Sequence, residues 1–189
     1  REELVTLYTE SGRQRQAIEQ LEALSALEPT RPERLVRVGL AYARLGRKDA
    51  AILTLGRAAE RHPDSSIVYT ALGRVWLDAA EDDGDRVALS KAIEALAPIA
   101  EKSNATSEAL TMYGRALLLS GSTTAAERVL RRASEQFPVE PMAFKYLASA
   151  ARRLGHLSSA QEAEAKHAAL VGNVAAGLGR PVAGAGCAG

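Results

Sequence analysis

The sequence predicts an all-α solenoid of five helix–turn–helix repeats, with about ten helices in total. The first observation is a column of alanines that recurs with a period of about 34 residues apart from one longer step: Ala17, Ala51, Ala92, Ala126 and Ala160. The second is that glycines and prolines keep the same period. The third is a composition rich in Ala, Leu, Arg and Glu, with only 4% aromatic residues and no alternating β-branched run. Such a period in a helical composition is typical of solenoids whose neighbouring units bury a shared core.

Each recurring column has a physical reason. One set of glycines follows the first helix of a unit, where a left-handed C-cap is needed: Gly12, Gly46, Gly121 and Gly155. A second set lies where the two helices of a unit meet and a side chain would hold them apart: Gly39, Gly73 and Gly114, with Ala148 in the fifth unit. A third set, of prolines, closes the second helix: Pro29, Pro63 and Pro138. Together these columns predict the phase of every helix.

The period divides the chain into five units and a tail. The units cover residues 1–30, 31–64, 65–105, 106–139 and 140–172, and the third unit holds a seven-residue insertion between Trp76 and Ala92. The predicted first helices are 2–11, 32–45, 66–80, 107–120 and 141–154. The predicted second helices are 14–27, 48–61, 87–103, 123–136 and 157–170. Residues 173–189 are rich in Gly and Ala and poor in large side chains, so we expect a disordered tail.

The second unit fills the columns most completely, with Leu35, Gly39, Tyr42, Gly46, Ala51, Leu55, Ala58 and Pro63. This arrangement resembles the tetratricopeptide repeat (TPR) family, and the resemblance extends over roughly residues 2–171. It implies a right-handed superhelical arc whose first helices line a concave groove. It also implies a protein–protein interaction scaffold that binds a peptide or protein partner in that groove.

The repeat phase assigns side chains to this groove. The predicted partner-binding residues are Arg37, Leu40, Arg44, Arg74, Leu77, Met112, Arg115, Lys145, Ser149 and Arg152. Arginine predominates, which favours an acidic partner because guanidinium groups bind carboxylates well. We expect Arg37, Arg74, Arg115 and Arg152 to lie side by side on successive units. The alternative interpretation is a solvated helix face whose arginines pair within their own helix.

One known mode of binding is excluded by the residues present. TPR domains that resemble the chaperone co-factors hold a terminal carboxylate with Lys, Asn, Asn, Lys and Arg. The matching positions here are Val36, Leu40, Ala71, Glu108 and Met112. The carboxylate clamp of that class is therefore absent.

No catalytic residue, metal site or cofactor is predicted. The acidic cluster at 81–85 lacks the EF-hand spacing, so we expect a solvated turn, with a second partner contact left open. The three histidines, His62, His156 and His167, lack metal-ligand spacing. Cys187 lies in the tail without a partner in phase. We therefore expect a protein that is not an enzyme.

Charge and hydropathy restrict the remaining classes of partner. There are 24 basic and 23 acidic residues, a formal net charge of +1, so no nucleic-acid partner is expected. No apolar stretch has the length of a membrane span. The chain begins at Arg1, from which we expect a truncated or processed, soluble protein of the cytoplasm or periplasm, and the preference for Arg and Ala suggests a bacterial source. Two alternatives stay open: a targeting or regulatory domain of a larger enzyme whose catalytic domain is missing, and a self-assembling homo-oligomer.

Overall fold

The computed structural model describes residues 2–27 and 31–178, which form ten α-helices and contain no β-strand. The helices are α1 (Glu2–Glu10), α2 (Gln14–Leu27), α3 (Pro32–Arg44), α4 (Lys48–Arg61), α5 (Ser66–Asp83), α6 (Arg86–Ala100), α7 (Ser107–Leu119), α8 (Thr123–Glu135), α9 (Pro141–Arg153) and α10 (Leu157–Leu178). Consecutive helices pack against each other along the described chain. The predicted all-α solenoid is confirmed.

The glycine columns have the geometry that the sequence predicts. The four turn glycines have φ angles of 70, 72, 84 and 77°, in the left-handed region that side chains avoid. At the helix crossings, a Cβ on Gly39 would lie 2.5 Å from Leu55 Cγ, and one on Gly73 would lie 2.4 Å from Leu96 Cγ. The glycines therefore allow a leucine of the second helix to pack directly on the backbone of the first.

The seven-residue insertion lengthens a helix, so the prediction of a solvated turn at 81–85 is wrong. Helix α5 continues through Asp83 and ends at Gly84, which has a φ of 65°. Asp85 then begins α6, because its carboxylate accepts a hydrogen bond from the Val87 amide at 2.7 Å. The extra turn of α5 buries Ala79 and Ala80, and this burial favours helix over loop.

The last helix is longer than predicted. Helix α10 ends at Leu178, eight residues beyond the predicted end at residue 170. The added stretch contains Ala175 and Ala176, and alanine has the highest helix propensity, which offsets the cost of about 1 kcal/mol for each of its glycines. The rest of the predicted tail, residues 179–189, lies outside the described residues.

The first unit packs differently from the others. Within the described residues, α3 contacts α5, α5 contacts α7, and α7 contacts α9, but α1 makes no such contact with α3. Val5 occupies the column that holds Gly39 and Gly73 in the next two units. That column faces the second helix of the same unit, and Val5 is buried there with Leu21 of α2. The first two units are separated by a gap between α1 and α3 on the concave side.

Candidate partner-binding groove

Three adjoining openings lie along the first helices of units one to four. The largest is a cleft of about 380 Å³ between α1 and α3, which we call the α1–α3 cleft. The second, of about 330 Å³, lies between α3 and α5 at the start of α7. The third, of about 170 Å³, lies between α3 and α5. The half-buried Leu40 borders all three and joins them into one surface.

The α1–α3 cleft has an apolar floor and two polar walls of different character. The floor includes Val5, Ala17 and Leu21. The α1 wall is formed by Thr6, Thr9 and Glu10, and Gln14 continues it. The α3 wall presents Arg37, Leu40, Ala41 and Arg44. A segment bound there would meet apolar surface below and opposite charges on its two sides.

The repeat phase explains why the cleft is confined to the first unit. In the three units that follow, the position of Arg37 is taken by Ala71, Met112 and Tyr146. Ala71 and Met112 are buried, and Tyr146 is half-buried. Arg37 is instead exposed, since a charged side chain buried against α1 would be costly. An exposed arginine at this position is therefore compatible with the gap between α1 and α3.

The two arginines of the cleft are electrostatically available. Arg37 and Arg44 are exposed, and neither forms an ion pair with another residue of ranges 2–27 and 31–178. Both guanidinium groups line the same opening. This wall of the cleft therefore carries two positive charges that are not held in ion pairs with other described residues.

The arginines at the centre of the concave face are already paired. Arg74 on α5 forms a salt bridge with Glu108 on α7. Arg115 on α7 reaches back to α5, where its Nε donates to Glu81 Oε1 at 2.8 Å and its Nη1 lies 3.5 Å from Asp78 Oδ1. Its side chain is only 14% exposed. These pairs join different helices, so the expectation of arginine pairs within single helices does not describe this region.

Burial shapes the acid–base properties of this central cluster. Partial burial raises the pKa of the Asp78 carboxyl, and the positive charges of Arg115 and Arg74 only partly oppose that change. Burial likewise raises the pKa of the Tyr146 hydroxyl, against the opposing charge of Arg115. The Arg115 guanidinium carbon lies 5.9 Å from the centroid of the Tyr146 ring. The cluster thus links α5, α7 and α9 through one cation.

Two of the predicted groove residues do not reach the surface. Leu77 is fully buried, and Met112 is 7% exposed. Both belong to a core that includes Leu96 and Ala116, between α5, α6 and α7. Each lies on the side of its helix that faces neighbouring helices, so the assignment of these two residues to the groove is wrong.

The predicted alignment of four arginines is also wrong. Arg74 and Arg115 occupy the same repeat position as Leu40. Arg37 precedes that position by one helical turn in the second unit, and Arg152 follows it by one turn in the fifth. The arginines therefore do not form a single row across the units.

The fifth unit supplies the remaining predicted groove residues. Lys145 is exposed and Ser149 is half-buried on α9. Lys145 forms no ion pair within the described ranges. Arg152 pairs instead with Glu164 of α10, a residue that takes the place of the leucine found in the other second helices. The arginine of this unit is thus engaged with its own second helix.

Three acidic residues of the insertion have partners within the chain. Asp82 lies 3.1 Å from Lys48 Nζ, Glu81 binds Arg115, and Asp85 caps α6. No group of three or more His, Cys, Asp and Glu residues among the described positions is arranged to hold a metal ion. None of the described helices is long and apolar enough to cross a membrane.

Sequence reasoning overlooked the α1 wall of the cleft. Thr6, Thr9, Glu10 and Gln14 were not predicted as site residues, although Thr6 shares the repeat position of Leu40. The signal in the sequence is Arg37, at a position that the later units fill with Ala, Met and Tyr, because a charged side chain there is costly to bury against α1.

Comparison with known proteins identifies the architecture. The family model "Tetratricopeptide repeat" matches residues 3–66, 37–103 and 111–175. Among solved structures, the TPR protein TTC0263 of Thermus thermophilus is 21% identical, with 88% of this chain and 87% of that chain covered and a TM-score of 0.71. A double mutant of MamA RS-1 is 19% identical, with coverages of 91% and 93% and a TM-score of 0.70. The type IV pilus biogenesis factor PilW is 22% identical, with coverages of 89% and 75% and a TM-score of 0.71. At these identities the structural likeness concerns the fold, and no curated protein gave a significant match in sequence.

Proposed function

The chain belongs to the tetratricopeptide repeat family of interaction scaffolds, and we propose that it is a non-catalytic member that holds a peptide segment of an acidic partner protein. The segment lies along the concave face, from the α1–α3 cleft to the openings between α3 and α5. Leu40 is central to the binding surface because it borders every opening in this stretch.

The uncompensated charge of Arg37 and Arg44 beside an apolar floor is the observation that supports this proposal. An acidic segment gains charge complementarity there without displacing an existing salt bridge. At Arg74 and Arg115 the same segment would compete with Glu108, Glu81 and Asp78. The acidic part of the partner is therefore placed in the N-terminal half of the groove.

The expected affinity is modest and depends on salt. An exposed ion pair contributes about 0.2–1 kcal/mol, and screening at physiological ionic strength acts over about 8 Å. Burial of apolar side chains beside Leu40 and Leu21 supplies most of the binding free energy, at about 25 cal/mol per Å² before the cost of ordering the peptide. Charge mainly selects the partner and accelerates its association.

A selection from a random dodecapeptide library tests this function. The full chain is immobilised, bound peptides are recovered, and the affinity of a recovered peptide is measured by fluorescence anisotropy. We expect Leu40→Glu to abolish binding, since it places a carboxylate in the shared wall of the three openings. The matched control is Leu53→Glu on α4, where the wild-type leucine is 56% exposed and lines none of these openings.

A contrary result would place the binding surface elsewhere. If Leu53→Glu abolishes binding and Leu40→Glu does not, the partner binds the second helices. Circular dichroism of both variants shows whether the helices are retained.

A further inference from the structure

We infer that the α1–α3 cleft is a subsite for one large aliphatic side chain with carboxylates beside it, a specificity that rests on the proposed function and goes beyond it. The partner class is a segment with an apolar residue flanked by Asp or Glu. Three observations on the cleft support this: its shape, its charge and the pairing state of the arginines elsewhere.

The depth of the cleft suits a large apolar side chain together with the backbone beside it. Its volume of about 380 Å³ lies within the range of roughly 300–1,000 Å³ found for ligand pockets. Because α1 stands away from α3, the opening reaches down to Ala17 and Leu21 on α2. The later units lack this depth, since their first helices contact one another. An apolar side chain inserted here contacts a second helix as well as two first helices.

The two walls of the cleft carry opposite charges. Arg37 and Arg44 stand on the α3 wall, and Glu10 stands on the α1 wall. A carboxylate next to the inserted side chain is attracted to the α3 wall and repelled by the α1 wall. Thr9 is less available to the ligand because its hydroxyl donates to the Val5 carbonyl at 2.7 Å. The α3 wall thus favours a carboxylate on its side of the inserted side chain.

No other opening on the described concave face combines these features. The opening between α3, α5 and α7 is bordered by Arg74, whose charge is held by Glu108. The smaller opening beside it shares Arg44 with the cleft and adds Arg74, but it also contains Asp78 and no residue of a second helix. The combination of unpaired arginines with a deep apolar floor is therefore a property of the first opening.

The test uses a defined probe and the full chain labelled with ¹⁵N. The probe is a capped heptapeptide, Gly-Gly-Glu-Leu-Glu-Gly-Gly, titrated while amide resonances are followed by NMR. We expect saturable shifts at Thr6, Leu40 and Ala41, and binding at least about fivefold weaker when the leucine of the probe is replaced by alanine. The Arg37→Glu/Arg44→Glu variant is expected to lose the Glu-Leu-Glu probe and to bind a Lys-Leu-Lys probe instead.

A charge-matched control is Arg57→Glu/Arg128→Glu, which reverses two exposed cations on the second helices α4 and α8 and is expected to leave the shifts unchanged. The inference is overturned if the probe produces saturable shifts only elsewhere in the groove, if no saturable shift occurs at all, or if both charge variants bind the probe equally. If library-selected peptides still require Leu40 in any of these cases, the proposed groove function stands and only the specificity assigned to the cleft is rejected. If neither the probe nor the library peptides bind, the proposed function is rejected as well.

Discussion

Arginines line the concave face both at the α1–α3 cleft and across α5, α7 and α9, but they do different work in the two regions. In the cleft, Arg37 and Arg44 are exposed and form no ion pair with any described residue. In the α5–α9 region, Arg74 and Arg115 join successive first helices by salt bridges to acids of the neighbouring unit. The residue type is shared, and the difference lies in whether an acidic side chain of a neighbouring unit lies within ion-pair distance.

Under the proposed function, stability and recognition use different arginines of the repeat stack. Arg74 and Arg115 bind acids of a neighbouring unit and stabilise the stack. Arg37 and Arg44 form no ion pair with a described residue and are left to the partner. Each region therefore predicts a different response to mutation.

The largest expected effect comes from imposing the first unit's packing on a later one. Gly73→Val places a β-branched side chain where a Cβ would already lie 2.4 Å from Leu96 Cγ. We expect the free energy of unfolding to fall by about 1–3 kcal/mol through overpacking, measured by urea denaturation. Gly56→Ala is the control, because a Cβ there meets nothing within 4 Å, and it should stabilise by up to about 1 kcal/mol. An unchanged midpoint for Gly73→Val would refute the account of the glycine column.

A smaller effect is expected from removing the central cation. Arg115→Ala leaves Glu81 and Asp78 without their partner at a site where the arginine is mostly buried. We expect a loss of about 1–2 kcal/mol, between the values for exposed and buried ion pairs. Arg44→Ala should change unfolding by no more than about 0.5 kcal/mol, because its guanidinium is exposed. Equal losses in the two variants would mean that the two regions do not differ in this way.

The smallest effect concerns the pH dependence of Asp78. Its raised pKa means that the folded protein binds this proton more tightly than the unfolded chain does. The stability linked to that proton is present at low pH and is lost as pH rises from the ordinary aspartate value through the raised one. Asp78→Asn should therefore gain stability relative to wild type between about pH 4 and about pH 7. Thermal midpoints measured at both pH values provide the check, and a relative loss across that interval would contradict the assignment.

Much of the fold can be predicted from the sequence because each repeat column reflects a local steric requirement of the backbone. Glycines that adopt positive φ and glycines that pack against a leucine each recur at a fixed position of the repeat. The insertion only shifts the later positions by seven residues. The helices therefore follow from the phase, and nine of the ten have both ends within three residues of the predicted positions. The end of α10 does not follow, because helix propensity in an Ala-rich stretch competes with a breaker signal from Gly172 and Gly177.

The site is less predictable because exposure depends on neighbouring helices. The positions of Arg37 and Met112 are equivalent in phase, yet one is exposed and the other is buried. Phase alone placed both in the groove. Whether a groove arginine is available or paired also depends on an acid in another unit, as Glu108 shows for Arg74.

Photo-crosslinking from two equivalent positions tests most directly whether the partner contacts the α1–α3 cleft. Thr6 and Ser149 occupy the same repeat position in the first and fifth units. A benzophenone amino acid is placed at one or the other in the full chain, and a library-selected acidic peptide is added before irradiation. We predict a crosslink from position 6 that competing unlabelled peptide suppresses and that rising salt weakens, with little crosslink from position 149. A specific crosslink from position 149 and none from position 6 would contradict the account.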